Sequence, residues 1–122
     1  MTATRLNVTT ETVSGWEVTR HPDGTVEVAK RVTSTLTYAS WAGVWWATAC
    51  ASQAYPLAFA SAPAVECRVV EVTGGDVMAL GWRYTVSGAA LKTASPVVMA
   101  MRPNSIAGAT LTVELRARGV PA

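Results

Sequence analysis

Histidine occurs once, phenylalanine once and cysteine twice in 122 residues, and only 15% of the chain is charged. Each scarcity excludes something. The one histidine, His21, has no second imidazole and no CxxC motif to share a metal with, so a zinc site lacks ligands. Cys50 and Cys67 lie 17 residues apart. With no secretion signal in view, two buried thiols are the preferred reading over a disulfide. The eight Arg are scattered and the net charge is only +2, so no basic footprint for nucleic acid is present. Met1 to Thr12 is Thr-rich and has no apolar core segment, so no signal peptide is expected there. No clean apolar run long enough to span a bilayer occurs either. Val32 to Val65 carries no charge, but Thr33, Thr35, Ser40, Thr48 and Ser52 recur through it, and Pro56 and Pro63 break it. Such strands are expected to be buried within the protein or against copies of it.

What is present is a strand-forming composition. Half of the chain is hydrophobic, so disorder is not expected. Ala, Val and Thr dominate with 21, 17 and 16 copies, and five Trp is high for this length. Val and Thr favour pleated, half-buried surfaces. The length fits one domain. Residues 1–12 read as a polar lead-in or a weak strand, and residues 13–122 as a single β-sandwich.

The clearest local signal is Gly15 to Val28. Val18 and Val28 alternate with Glu17, Thr19 and Glu27, and Pro22-Asp23-Gly24 supplies a three-residue turn whose last position suits a left-handed glycine. Thr19 should therefore face Glu27, and Val18 should face Val28. The second strand continues toward Tyr38, with Val32, Leu36 and Tyr38 on one face and Thr33, Thr35 and Thr37 on the other. Trp41 to Ala54 mixes helical spacing with Gly43 and three Trp, and reads as strand or loop. Tyr55 to Ala60 reads as a short edge strand entered through Pro56. Val65 to Thr73 is a strong strand; Gly74-Gly75-Asp76 turns the chain, and Val77 to Ser87 is expected to pair back on it. Gly88 to Ser95 is a loop, Pro96 to Met101 a short apolar strand, and Arg102-Pro103-Asn104-Ser105 a turn. Ala109 to Arg118 alternates most cleanly, with Leu111, Val113 and Leu115 inward and Thr110, Thr112, Glu114 and Arg116 outward. Seven to nine strands with turn signals about ten residues apart give an all-β, antiparallel sandwich, jelly-roll-like.

Catalytic chemistry leaves little trace. General acid–base work needs two carboxylates, or a histidine with a partner, in one cleft. The acids are Glu11, Glu17, Asp23, Glu27, Glu66, Glu71, Asp76 and Glu114, mostly at outward strand positions or turns. Glu17 and Glu27 are the only pair the hairpin brings near one another. His21 sits at a turn tip, and neither GxSxG nor a P-loop lysine pattern occurs. The chain reads as a non-enzyme, with no cofactor called for. The aromatics are the remaining asset. Packing accounts for most of them, but Trp45 and Trp46 cannot both point inward from a strand, so one must meet solvent, a partner subunit or a ligand. Trp45, Trp46, Trp82 and Tyr84 are the candidate ligand-binding residues, because aromatic faces stack on sugar rings.

A series of landmarks carries a family resemblance: Gly15-Trp16, the Asp23-Gly24-Thr25 turn, Gly43-Val44-Trp45-Trp46, Tyr55-Pro56 followed by Phe59 and Pro63, Arg102-Pro103-Asn104-Ser105, and a last strand ending near Gly119. In order and spacing, over roughly residues 13 to 119, the chain resembles the C-terminal head, or receptor-binding, domain of bacteriophage tail and head fibres. Val28 stands where that family often has an aromatic, and Val120-Pro121-Ala122 replaces the usual aromatic ending. The resemblance implies a homotrimer in a virion, attached to other fibre or tail proteins, that binds a host-surface glycan or other receptor, with residues 1–12 as a candidate link to a fibre shaft and residues 13–122 as the head. A mean hydropathy of +0.25 with sparse charge independently favours covered surface at a subunit interface. Two other readings remain: a structural virion or decoration protein without receptor activity, and a fibre domain that cleaves its glycan.

Overall fold

A computed structural model describes residues 8–41, 43–75, 79–83, 90–102 and 109–122. The Pro22-Asp23-Gly24 turn closes its hairpin as the residues specify. Gly24 takes φ 90°, the His21 amide donates to the Thr25 carbonyl at 2.9 Å, and the Asp23 carboxylate accepts from the Thr25 amide and hydroxyl. The flanking strands, β2 (Trp16–Arg20) and β3 (Val26–Thr35), pair Val18 with Val28 and Thr19 with Glu27. A second tight turn precedes them. Ser14 and Gly15 both have positive φ, the geometry of a two-residue hairpin loop, and β1 (Thr9–Val13) folds back on β2. The sheet thus begins inside the polar lead-in.

Five antiparallel strands make the first sheet in the order β1-β2-β3-β9-β6, with β6 spanning Ala64–Thr73 and β9 Thr110–Gly119. The second sheet holds β4 (Ala39–Trp41), β5 (Val44–Cys50), β8 (Val97–Arg102) and β7 (Ala79–Arg83), in the order β4-β5-β8-β7. The ambiguous Trp41 to Ala54 stretch is therefore mostly strand. Val18, Val28, Leu111, Val113 and Leu115 from the first sheet, and Ala47, Ala49, Val98 and Ala100 from the second, form the buried core. The chain is all-β with two antiparallel sheets, as the alternation predicts.

One expected pairing is wrong. The segment after Gly74-Gly75 does not return on β6. It passes to the other sheet, where Leu80 stands opposite Ala100 and Trp82 opposite Val98 on β8. Turn residues fix where a chain bends, not which strand it meets. Chemistry decides the partner. β6 carries Glu66, Arg68 and Glu71 on its outer side and finds matching charge on β9. The sequence of β7, Ala-Leu-Gly-Trp-Arg, is apolar on both sides until its last residue and fits apolar β8.

Two bulges adjust the faces. A register shift between Thr48 and Cys50 brings Cys50 inward beside Ala49, where simple alternation would have left it outside. Another lies between Val69 and Glu71. The predicted edge strand at Tyr55 to Ala60 is absent: this stretch makes only isolated bridges, at Ala54 and Phe59. It instead plugs one end of the sandwich. Its backbone is pinned by the short 3-10 turn at Ala90–Lys92 and by the C-terminus, through Tyr55 N to Thr93 O, Phe59 N to Lys92 O and Ala60 N to Val120 O, all 2.8–2.9 Å. Trp16, Tyr55 and Phe59 stack edge to face beneath it, with centroids 5.6 and 5.3 Å apart. The Trp16 indole donates to Ala54 O at 2.9 Å.

Candidate functional site

The outer faces of the two sheets differ in kind. On the first sheet, register lines up Glu27 with Arg118, Arg116 with Glu66, and Arg31 with Glu114 and Arg68. Positive and negative side chains alternate like a checkerboard. Arg116 bridges Glu27 and Glu114, Arg68 closes on the other oxygen of Glu114, and His21 approaches Glu27 at 3.8 Å. Thr33 and Thr112 share a hydrogen bond of 2.8 Å beyond the charges. Glu114 is buried under this grid. Hydrogen bonding from Arg68, opposed by burial and assisted by Arg116, holds its carboxyl below the usual carboxylate range. A shallow cleft of about 350 Å³ runs between Glu27, Glu66, Arg116 and Arg118. Glu17 and Glu27 do share this face, opposite Ala29 and Thr19 respectively. Glu27 is engaged by Arg116 through its Oε1.

The second sheet presents the opposite surface. Its strand sequences contain no acidic residue and two Arg. Strand alternation separates two series. Trp45 lies opposite Ser40 and Arg102 on the inner side and packs against the core. Trp46 lies opposite Ala39 and Met101, and Thr48 opposite Met99, on the outer side. The expectation that adjacent Trp45 and Trp46 diverge is met. Gly81 faces Met99 across β7 and β8, and a Cβ there would lie 3.2 Å from the Met101 terminal methyl.

These residues form a groove of about 630 Å³ whose lining includes Thr37, Trp46, Thr48, Trp82, Arg83 and Met99. That volume is in the range of small-molecule sites, about 300–1,000 Å³. Of the four aromatic candidates, the groove gathers Trp46 and Trp82. Trp82 pairs with buried Val98, so register puts it on the inner side of an edge strand; it remains 37% exposed. Trp46 and Trp82 therefore belong to opposite sides of the sheet, and Trp46 supplies the aromatic wall from the outer side. Trp45 is turned toward the core. Tyr84 lies outside the described residues, as does most of the Arg102 to Ser105 turn.

Thr37, Thr48, Met99 and Arg83 escaped the sequence reading. Thr48 follows Trp46 by two positions and shares its face, a signal that was legible. Met99 and Arg83 required the β5-β8-β7 order, which no local pattern gives.

Two further sequence-level candidates resolve simply. Both cysteines are free, Cys50 buried and Cys67 half-buried. Burial, with a smaller contribution from Cys67, pushes the Cys50 thiol up to about 11, and burial also raises Cys67. Thiols so placed are unreactive. Among the described residues no cluster of three His, Cys, Asp or Glu could hold a metal. Comparison with protein-family models, with curated proteins and with solved structures gives no match.

Proposed function

We propose that this chain is a non-enzymatic head domain of a phage or prophage fibre, which binds a host-surface glycan in the groove beside Trp46. The observation that carries the reading is an indole on the outer, solvent side of a sheet, set in a groove with two threonine hydroxyls. Sugar recognition uses these parts: a flat aromatic face for the C–H side of a ring, and hydroxyl and charged groups for its rim. The two-sheet antiparallel architecture and the ordered landmarks from Gly15-Trp16 to Gly119 agree with such a head. Homotrimeric assembly and a place in the virion among other fibre or tail proteins belong to the same proposal.

The test pairs two measurements. Light scattering should give the mass of three chains at micromolar concentration, and a glycan array should return ligands that the Trp46→Ala variant loses while keeping its circular dichroism. A monomer that binds no glycan would refute the proposal. A structural virion role is favoured by one observation: Val44, Val97 and Met101 extend the apolar outer face beyond the groove. Under that reading the assembled protein covers Trp46 and retains no host-cell binding. Cleavage of the glycan would require turnover of a polysaccharide by the purified chain.

A further inference from the structure

Among the described residues, the acidic side chains are confined to one of the two sheets. Glu11, Glu17, Glu27, Glu66, Glu71 and Glu114 all lie on the five-stranded sheet, and Asp23 lies in its hairpin turn. There they meet arginines: Glu11 pairs with Arg20, Glu27 and Glu114 with Arg116, and Glu114 with Arg68. The four-stranded sheet has arginine and no acid. Arg102 is buried on its inner side. Arg83 is exposed, lines the Trp46 groove, and has no acidic partner among the described residues. Among the described residues no acidic side chain lines that groove.

We propose that the groove takes an acidic saccharide, with a sugar ring on the Trp46 indole and a carboxylate or phosphate of the same ligand on Arg83. This rests on the glycan-binding reading above and names the class of glycan. A guanidinium offers a planar fork of donors that matches an oxyanion, and charge-assisted hydrogen bonds of this kind are about twice as strong as neutral ones. Apolar walls at Met99 and Ala39 lower the local polarity and strengthen the attraction. The four strands themselves carry no acid that would repel an anionic polymer as it approaches. A second copy is the poorer occupant. Face-to-face contact between two copies repeats the same patch on both sides, so the strands of neither copy offer an acid to the other's Arg83.

The experiment titrates the full-length protein with three probes: tri-galacturonate, its methyl ester, and maltotriose phosphate. The ester keeps the sugar rings and removes the charge. Binding of either acidic probe should exceed that of the ester by about tenfold or more, the scale expected when one charge-assisted hydrogen bond is lost. Arg83→Gln should erase the difference and Arg83→Lys should restore part of it, with unchanged circular dichroism, since Arg83 is exposed. Whichever acidic probe binds more tightly identifies carboxylate or phosphate as the source. Equal binding of acid and ester, or acid binding indifferent to Arg83→Gln, overturns the acidic-ligand inference and leaves the glycan reading standing. Failure of all three probes, together with an empty array of neutral and acidic glycans, overturns both.

Discussion

Truncating Phe59 to alanine should cost the fold about 4 kcal/mol. Phe59 is 1% exposed although it belongs to no strand. Its ring packs edge to face on Tyr55 at 5.3 Å, and Tyr55 in turn packs on Trp16. Phe59→Ala removes roughly 120 Å² of buried apolar surface, about 3 kcal/mol at about 25 cal/mol per Å². The lost aromatic pair adds about 1 kcal/mol. The sum lies within the usual range of about 3–5 kcal/mol for deleting a buried Phe. For a domain of this size such a loss lowers Tm by roughly 15 °C. The backbone ties of Phe59 to Lys92 and of Ala60 to Val120 do not involve the side chain, so the cavity should not collapse fully. Urea unfolding followed by tryptophan emission gives the free energy, and near-ultraviolet circular dichroism reports the packing of Trp16. A loss below about 1 kcal/mol would show that the 51–63 connector is surface dressing rather than the end wall of the core.

Gly119→Ala should also disturb that wall, because a Cβ there would lie 3.1 Å from the Phe59 ring, and a thermal melt should fall where Gly119→Ala combined with Phe59→Leu partly recovers. Gly24→Ala has open space around it but φ 90°, so its cost of about 1 kcal/mol is purely conformational and should leave every spectrum unchanged except the melt. Glu114 has a folded-state pKa below its ordinary value, so the unfolded chain takes up its proton first as pH falls. Its contribution is therefore complete at neutral pH and declines as pH drops through and below the ordinary carboxylate range; Glu114→Gln should flatten the acid limb of a plot of urea midpoint against pH. Native Cys50 should resist a thiol reagent at pH 8 and react at once in urea, and rapid labelling of the folded protein would contradict its burial.

Much of the first sheet, and the facing of β5 in the second, could be read from the residues. The Pro22-Asp23-Gly24 turn, the alternation of Leu111, Val113 and Leu115, and the divergence of Trp45 from Trp46 all express local rules: a positive φ that glycine accepts, and a side-chain period of two. The Tyr55 to Phe59 segment misled because its apolar residues resemble a strand. Their backbone groups bond instead to the 90–92 turn and the C-terminus, partners distant in sequence. The register shift at Thr48 to Cys50 has no local signature either, and it decides that Cys50 is inside.

The sequence alone determined an all-β chain, its main turns, and the alternation that divides each strand into two faces, because those follow from contacts between near neighbours. Only tertiary structure decided that β7 leaves β6 for β8, and with it the site. That choice brings Trp82 and Arg83 to the groove that Trp46, Thr48 and Met99 line. The physical reason is that strand pairing is chosen by the burial and charge of whole faces. β6 finds its charge complement on β9, and β7 finds cover on an apolar neighbour that lies beyond the reach of any turn rule.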